Sequence, residues 1–105
     1  VTEISVGELK RRRDAGEDFV LLDVREPDEI QTASIPWATV ISMREIPARM
    51  NEIPRDKPLV VMCHHGGRSE RVAQFLEANG YGNAINLAGG IDAWSTSVDT
   101  AVPRY

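Results

Sequence analysis

Two apolar stretches without polar alternation constrain the fold of this 105-residue sequence more than any other feature: Phe19-Val20-Leu21-Leu22 and Leu59-Val60-Val61-Met62. A strand wetted on one face alternates apolar and polar residues, whereas a run that does not alternate suits a strand covered on both faces, as in a parallel sheet. Around the two runs the pattern turns helical. Ser5-Val6-Gly7-Glu8 has the spacing of a capping box, and Gly16 is placed to end the helix it starts. Glu26-Pro27-Asp28-Glu29 puts proline and acids where a helix begins. Ile46, Met50 and Ile53 recur at helical spacing behind Pro47, while Val72, Phe75 and Leu76, with the neutral Ala73, give a further helix its apolar face up to Gly80. Weaker strands are expected at 39–42 and 83–87, and Gly89-Gly90 lead into a last short helix at 91–94. Strands alternating with helices predict an α/β domain with a mainly parallel sheet, whose sites form in the loops after the carboxyl ends of the strands.

Length and composition narrow the classes of function. One domain over 1–105 is expected, large enough to bury a core without staples. The single cysteine, Cys63, cannot form an internal disulfide or supply the paired thiolates of a structural zinc site, which points to a reducing compartment. A net charge of −4 argues against nucleic-acid binding through a broad basic face. The one basic run, Lys10-Arg11-Arg12-Arg13, reads as the solvated side of a helix beside Asp14, Glu17 and Asp18. No apolar stretch approaches the ~20 residues of a membrane span and the start is unlike a signal peptide, so no membrane partner and a cytoplasmic location are expected. Val1 stands where a methionine would open a chain, which leaves a processed protein and a piece of a longer one as alternatives.

The chemistry concentrates in Cys63-His64-His65-Gly66-Gly67-Arg68-Ser69, which joins the second apolar run to the helix after it. Glycines let successive N–H groups turn inward as an anion-binding nest, and the starting helix adds its own unpaired N–H groups. A thiol at the mouth of such a loop has a depressed pKa and is a nucleophile. Arg68 supplies a permanent positive charge for an oxyanion or a charged sulfur, while His64 and His65 tune the charge of the pocket or face solvent. Adjacent residues do not converge on one ion, so neither a metal nor another cofactor is expected.

These residues carry a resemblance that spans nearly the whole chain. Leu21-Leu22-Asp23-Val24-Arg25-Glu26-Pro27 looks like the first signature of the rhodanese domain, the segment from Cys63 to Ser69 looks like its active-site loop, and Gly89-Gly90-Ile91-Asp92-Ala93-Trp94 is similar to its closing motif. The resemblance implies a three-layer fold with a mainly parallel five-stranded sheet between helices. It also implies a sulfurtransferase of the thiosulfate type, in which Cys63 takes a sulfane sulfur from a small donor, holds it as a persulfide, and yields it to cyanide, a thiol or a protein acceptor. His64, His65, Gly66, Gly67, Arg68 and Ser69 are then the substrate and anion cradle. Asp23 and Arg25 are read as structural, orienting the strand end. Where the family often has Gly-His-Ile-Pro-Gly-Ala, this chain has Ala33-Ser34-Ile35-Pro36-Trp37-Ala38, and Trp37 is read as a packing residue. The closing stretch and Val102-Pro103-Arg104-Tyr105 look similar to rhodanese domains found alone or fused behind ubiquitin-like-protein activating enzymes.

Two other classes stand beside this reading. A non-catalytic binding or sensing module on the same fold would be marked by loss of the loop cysteine, which is present here. A cysteine-dependent phosphatase or arsenate reductase is the third; the related phosphatases carry five residues between cysteine and arginine, enough to wrap a phosphate, and this loop has only His64, His65, Gly66 and Gly67.

Overall fold

Both non-alternating runs form central strands. In the computed structural model, which describes residues 1–105, the elements run β1 (Thr2–Ile4), α1 (Val6–Asp14), β2 (Val20–Asp23), α2 (Pro27–Thr32), β3 (Thr39–Val40), α3 (Ile46–Arg49), β4 (Leu59–Met62), α4 (Gly67–Ala78), β5 (Ala84–Leu87) and α5 (Gly90–Ser97). The five strands form one sheet in the order β1-β5-β4-β2-β3, and every neighbouring pair is parallel. Leu59, Val60, Val61 and Met62 in β4 are all essentially inaccessible to water. Leu59 and Val61 point into one core layer with Leu22, Ile46, Val72 and Leu76; Val60 and Met62 point into the other with Leu9, Leu21, Leu87, Ile91 and Trp94. Side chains alternate in direction along a strand, so a run buried throughout requires a helical layer on each side. Here α3 and α4 cover one face and α1 and α5 the other. Each such aliphatic side chain contributes about 1.5–3 kcal/mol on burial, which is why this four-residue strand anchors the sheet.

Local signals account for most element ends. The Ser5 hydroxyl accepts from the Glu8 amide at 3.1 Å, but the other half of the capping box does not form because the Glu8 carboxylate is taken by Arg11 at 2.7 Å and Arg12 at 3.2 Å. The basic run is indeed paired and solvated, with Arg11 also on Glu17 at 3.2 Å and Arg13 lying 4.4 Å over the Trp37 ring. Trp37 packs edge-on against Phe19 and Trp94, each at 6.0 Å, as a packing residue does. The helix expected behind Pro47 is only the single turn α3, flanked by 3-10 turns at Met43–Glu45 and Met50–Glu52. Phe75 is 40% exposed, at the edge of the α4 stripe whose centre is Val72, Ala73 and Leu76. No helix is long and apolar enough to cross a membrane.

Two features place the site. The order of strands reverses between β2 and β4, so the segments that follow these neighbouring strands diverge and leave a crevice at their carboxyl ends. Residue 24 after β2 and residue 63 after β4 open onto that crevice, tied by the Val24 amide to the Met62 carbonyl at 3.0 Å. The largest surface cleft lies at the opposite, amino end of the strands among Thr2, Arg55, Lys57 and Asn83, away from Cys63.

Candidate active site

Cys63 is the first residue beyond β4 and only 1% exposed. The loop turns at once: Gly66 adopts φ +115°, a conformation that favours glycine, and so aims its amide back at the Cys63 Sγ, 3.0 Å away. Gly67 is already the first residue of α4 and takes no left-handed conformation. Burial pushes the Cys63 thiol up, but the Ser69 hydroxyl and the amides of Ser69, Gly66 and His65 outweigh it and hold the pKa below the ordinary thiol value. The Gly66 amide is the contact with full hydrogen-bond geometry. The Ser69 hydroxyl lies 2.6 Å from Asn86 Oδ1, so its one proton reaches the sulfur only by rotating away from that oxygen.

The cradle is supported from three sides. Asn86, a polar residue inside β5, receives Ser69 and donates through Nδ2 to Glu3 Oε2 at 3.1 Å and to the Gly66 carbonyl at 3.3 Å. From α5, the Ile91 amide donates to the Cys63 carbonyl at 2.9 Å and the Asp92 amide to the His64 carbonyl at 3.1 Å. A Cβ on Gly90 would lie 2.5 Å from the His64 oxygen, so only glycine lets α5 approach the loop this closely. On the β2 side, Arg68 donates both ends of its guanidinium to the Glu29 carboxylate, at 2.6 and 2.8 Å. That pair lowers the Glu29 pKa to about 2 and raises that of Arg68.

The expected site residues do not all converge. Cys63, Gly66 and Ser69 meet around the sulfur; Arg68 is near but already paired. His64 is sandwiched between His65 at 3.9 Å and Tyr105 at 3.8 Å, the latter stack nearly parallel at 7°. Burial and neighbouring His65 hold its pKa down, so its ring is neutral near pH 7. His65 is exposed, with Nδ1 3.8 Å from Asp92, whose main partner is Arg104 at 3.0 Å. Asp23 and Arg25 are structural as expected: both are fully buried, joined through Asp23 Oδ1 to Arg25 Nε at 2.9 Å and Oδ2 to Nη2 at 2.6 Å. No cluster of metal-ligating side chains is present.

Three contributors escaped the sequence reading. Glu29 reads from sequence only as part of a helix start, two residues beyond the signature that holds Arg25. Asn86 had a visible sign, being the one amide in an otherwise apolar strand. Tyr105 stands in the end segment noted for its resemblance, but nothing local shows that it reaches the site from 76 residues away to donate its hydroxyl to Glu29 Oε2 at 2.7 Å.

A parallel α/β sheet that presents one thiol over inward amides at its topological crevice defines a cysteine-loop protein. The chain belongs to the rhodanese-like domain family, whose model matches residues 5–97. It is 43% identical to a sulfurtransferase of Allochromatium vinosum over 90% of this chain and 89% of that protein. A thiosulfate sulfurtransferase of Pseudoalteromonas translucida is 32% identical over 84% of each chain. The crystal structure of a rhodanese-like domain protein from Staphylococcus aureus superposes with a TM-score of 0.87 at 31% identity, covering 100% of this chain and 99% of that one. The family and the names of these relatives support sulfur transfer in general.

Proposed function

We propose that residues 1–105 work as one rhodanese domain that moves a sulfane sulfur from thiosulfate, or a donor like it, to a thiol or protein acceptor through a persulfide on Cys63. The observation that carries this reading is the Cys63 Sγ held 3.0 Å from the Gly66 amide at the start of α4, with its pKa depressed. A thiolate there attacks the outer sulfur of thiosulfate; the new S–S bond forms as the donor S–S bond breaks, and sulfite leaves with the electron pair. The loop amides then face the negative charge of the outer sulfur, whose stabilisation by fixed dipoles needs no reorganisation. An incoming thiolate or cyanide attacks that sulfur, and the Cys63 thiolate departs. The short loop suits one sulfur atom rather than a phosphate, and relatives named sulfurtransferase or thiosulfate sulfurtransferase support the same chemistry. No second cysteine lies within residues 1–105 to resolve the persulfide, so an acceptor from outside these residues completes the cycle.

The test is mass spectrometry of the protein after thiosulfate treatment, followed by thiocyanate release on adding cyanide. Wild type gains one sulfur on Cys63 and turns over, whereas Cys63→Ala does neither. Absence of the sulfur adduct in wild type, or Cys63-dependent hydrolysis of an aryl phosphate in its place, overturns the reading.

A further inference from the structure

Tyr105 joins the two segments that border the crevice. Its hydroxyl accepts from Arg25 Nη1 at 3.0 Å and donates to Glu29 Oε2 at 2.7 Å, while its ring lies flat on His64. Arg25 is immobile: it is fully buried and gripped at two points by Asp23, the last residue of β2. Glu29 in turn holds the guanidinium of Arg68 at both ends. Contacts therefore run from the sheet through Asp23, Arg25, Tyr105 and the Glu29 carboxylate to Arg68, beside a direct bond from Arg25 Nη1 to the Glu29 carbonyl at 3.3 Å. A tyrosine that only packed on His64 would not need its hydroxyl, yet both the proton and a lone pair are used. The tail is tied as well by Arg104 on Asp92 at 3.0 Å. Near neutral pH the phenol is protonated, its pKa pushed up to about 12 by burial, so donation to Glu29 persists across the working range.

We propose that Tyr105 is a positioning residue that acts through Glu29 to hold the Arg68 guanidinium where it meets the anionic part of a sulfur donor. The inference rests on the sulfurtransferase reading above and adds a specificity role outside the loop. Without the hydroxyl, Glu29 Oε2 loses one donor while the Glu26 amide at 3.1 Å still holds Oε1, so the carboxylate, and with it Arg68, is loosened on the Oε2 side. Charge does not change in Tyr105→Phe, and the stack on His64 is kept, so only orientation is lost.

In Tyr105→Phe the KM for thiosulfate rises about three- to tenfold, the range of one net hydrogen bond, while kcat changes less than about twofold. Alkylation of Cys63 by the anion iodoacetate slows by a similar factor relative to the neutral iodoacetamide. In a Glu29→Ala background, which removes the acceptor, Tyr105→Phe adds no further change to either quantity, because its path to Arg68 is already cut. Unfolding temperature falls by no more than about 4–8 °C, the worth of one hydrogen bond, because Arg25 keeps Asp23 and the Glu29 carbonyl. Equal KM and equal alkylation ratios in wild type and Tyr105→Phe overturn the proposal, as does an undiminished effect in the Glu29→Ala background. The alkylation ratio requires no sulfur transfer. A protein that fails to take sulfur from thiosulfate therefore refutes the proposed function, while the ratio still judges Tyr105.

Discussion

Replacing Gly90 by alanine tests whether the close approach of α5 builds the loop. The added Cβ would sit 2.5 Å from the His64 carbonyl oxygen and 2.7 Å from its carbon, and it also overlaps the Cys63 carbonyl. Ordinary carbon–oxygen contacts begin at about 3.3 Å, so relief demands a separation of nearly 1 Å between α5 and backbone that is itself packed. That movement stretches the Ile91–Cys63 and Asp92–His64 hydrogen bonds from 2.9 and 3.1 Å beyond bonding range. Two lost bonds cost about 2 kcal/mol, and an alanine at φ +56° costs about 1–2 more. The sum, about 3–4 kcal/mol, lowers the unfolding temperature of a domain of this size by roughly 12–25 °C. Gly67→Ala is the control from the same loop: a Cβ there meets nothing within 4 Å on an ordinary helical backbone, so it leaves stability unchanged or raises it. Thermal unfolding by circular dichroism and the alkylation rate of Cys63 are measured for both. If Gly90→Ala melts within about 2 °C of wild type and alkylates at the same rate, the geometric argument is wrong.

Other substitutions probe the charges around the site. Asp23→Asn strands the buried Arg25 guanidinium and costs about 3–5 kcal/mol in urea unfolding, while a loss below about 1 kcal/mol would show that the pair is dispensable. The alkylation rate of Cys63 by iodoacetamide rises with pH to a plateau whose midpoint lies below the ordinary thiol value of about 8.5; Ser69→Ala moves the midpoint upward, and no movement would remove the hydroxyl from the account. Glu29 titrates near about 2 rather than its ordinary 4.5, so the stability it lends is complete above pH 4.5 and fades as pH falls through 2; a carboxyl resonance titrating near 4.5 by NMR would deny the Arg68 pair.

What could be read from the chain follows the range of each physical signal. Leu59 to Met62 announce a doubly covered strand because four consecutive apolar residues leave no face for water, and the structure buries all four. By contrast β1 passes unnoticed: it has three residues, only Ile4 is buried, and its pairing with β5 lies more than 80 residues away. Phe75 has helical spacing but too little neighbouring surface to be covered, which spacing alone does not reveal. The capping box at Ser5 is half formed because Arg11 and Arg12 compete for Glu8, a rivalry between side chains on one helix surface.

The sequence by itself determined the parallel α/β architecture, the loop that carries Cys63 and the helix that begins behind it, since periodicity, glycine and helix-start signals act over a few residues. Only the tertiary structure decided what surrounds the thiol. Asn86 and Glu3 behind Ser69, the Gly90 approach of α5, and the line from Asp23 through Tyr105 to Arg68 join residues up to 83 positions apart. Such contacts exist because five parallel strands bring their carboxyl ends to one edge, and no local pattern encodes which distant side chain arrives there.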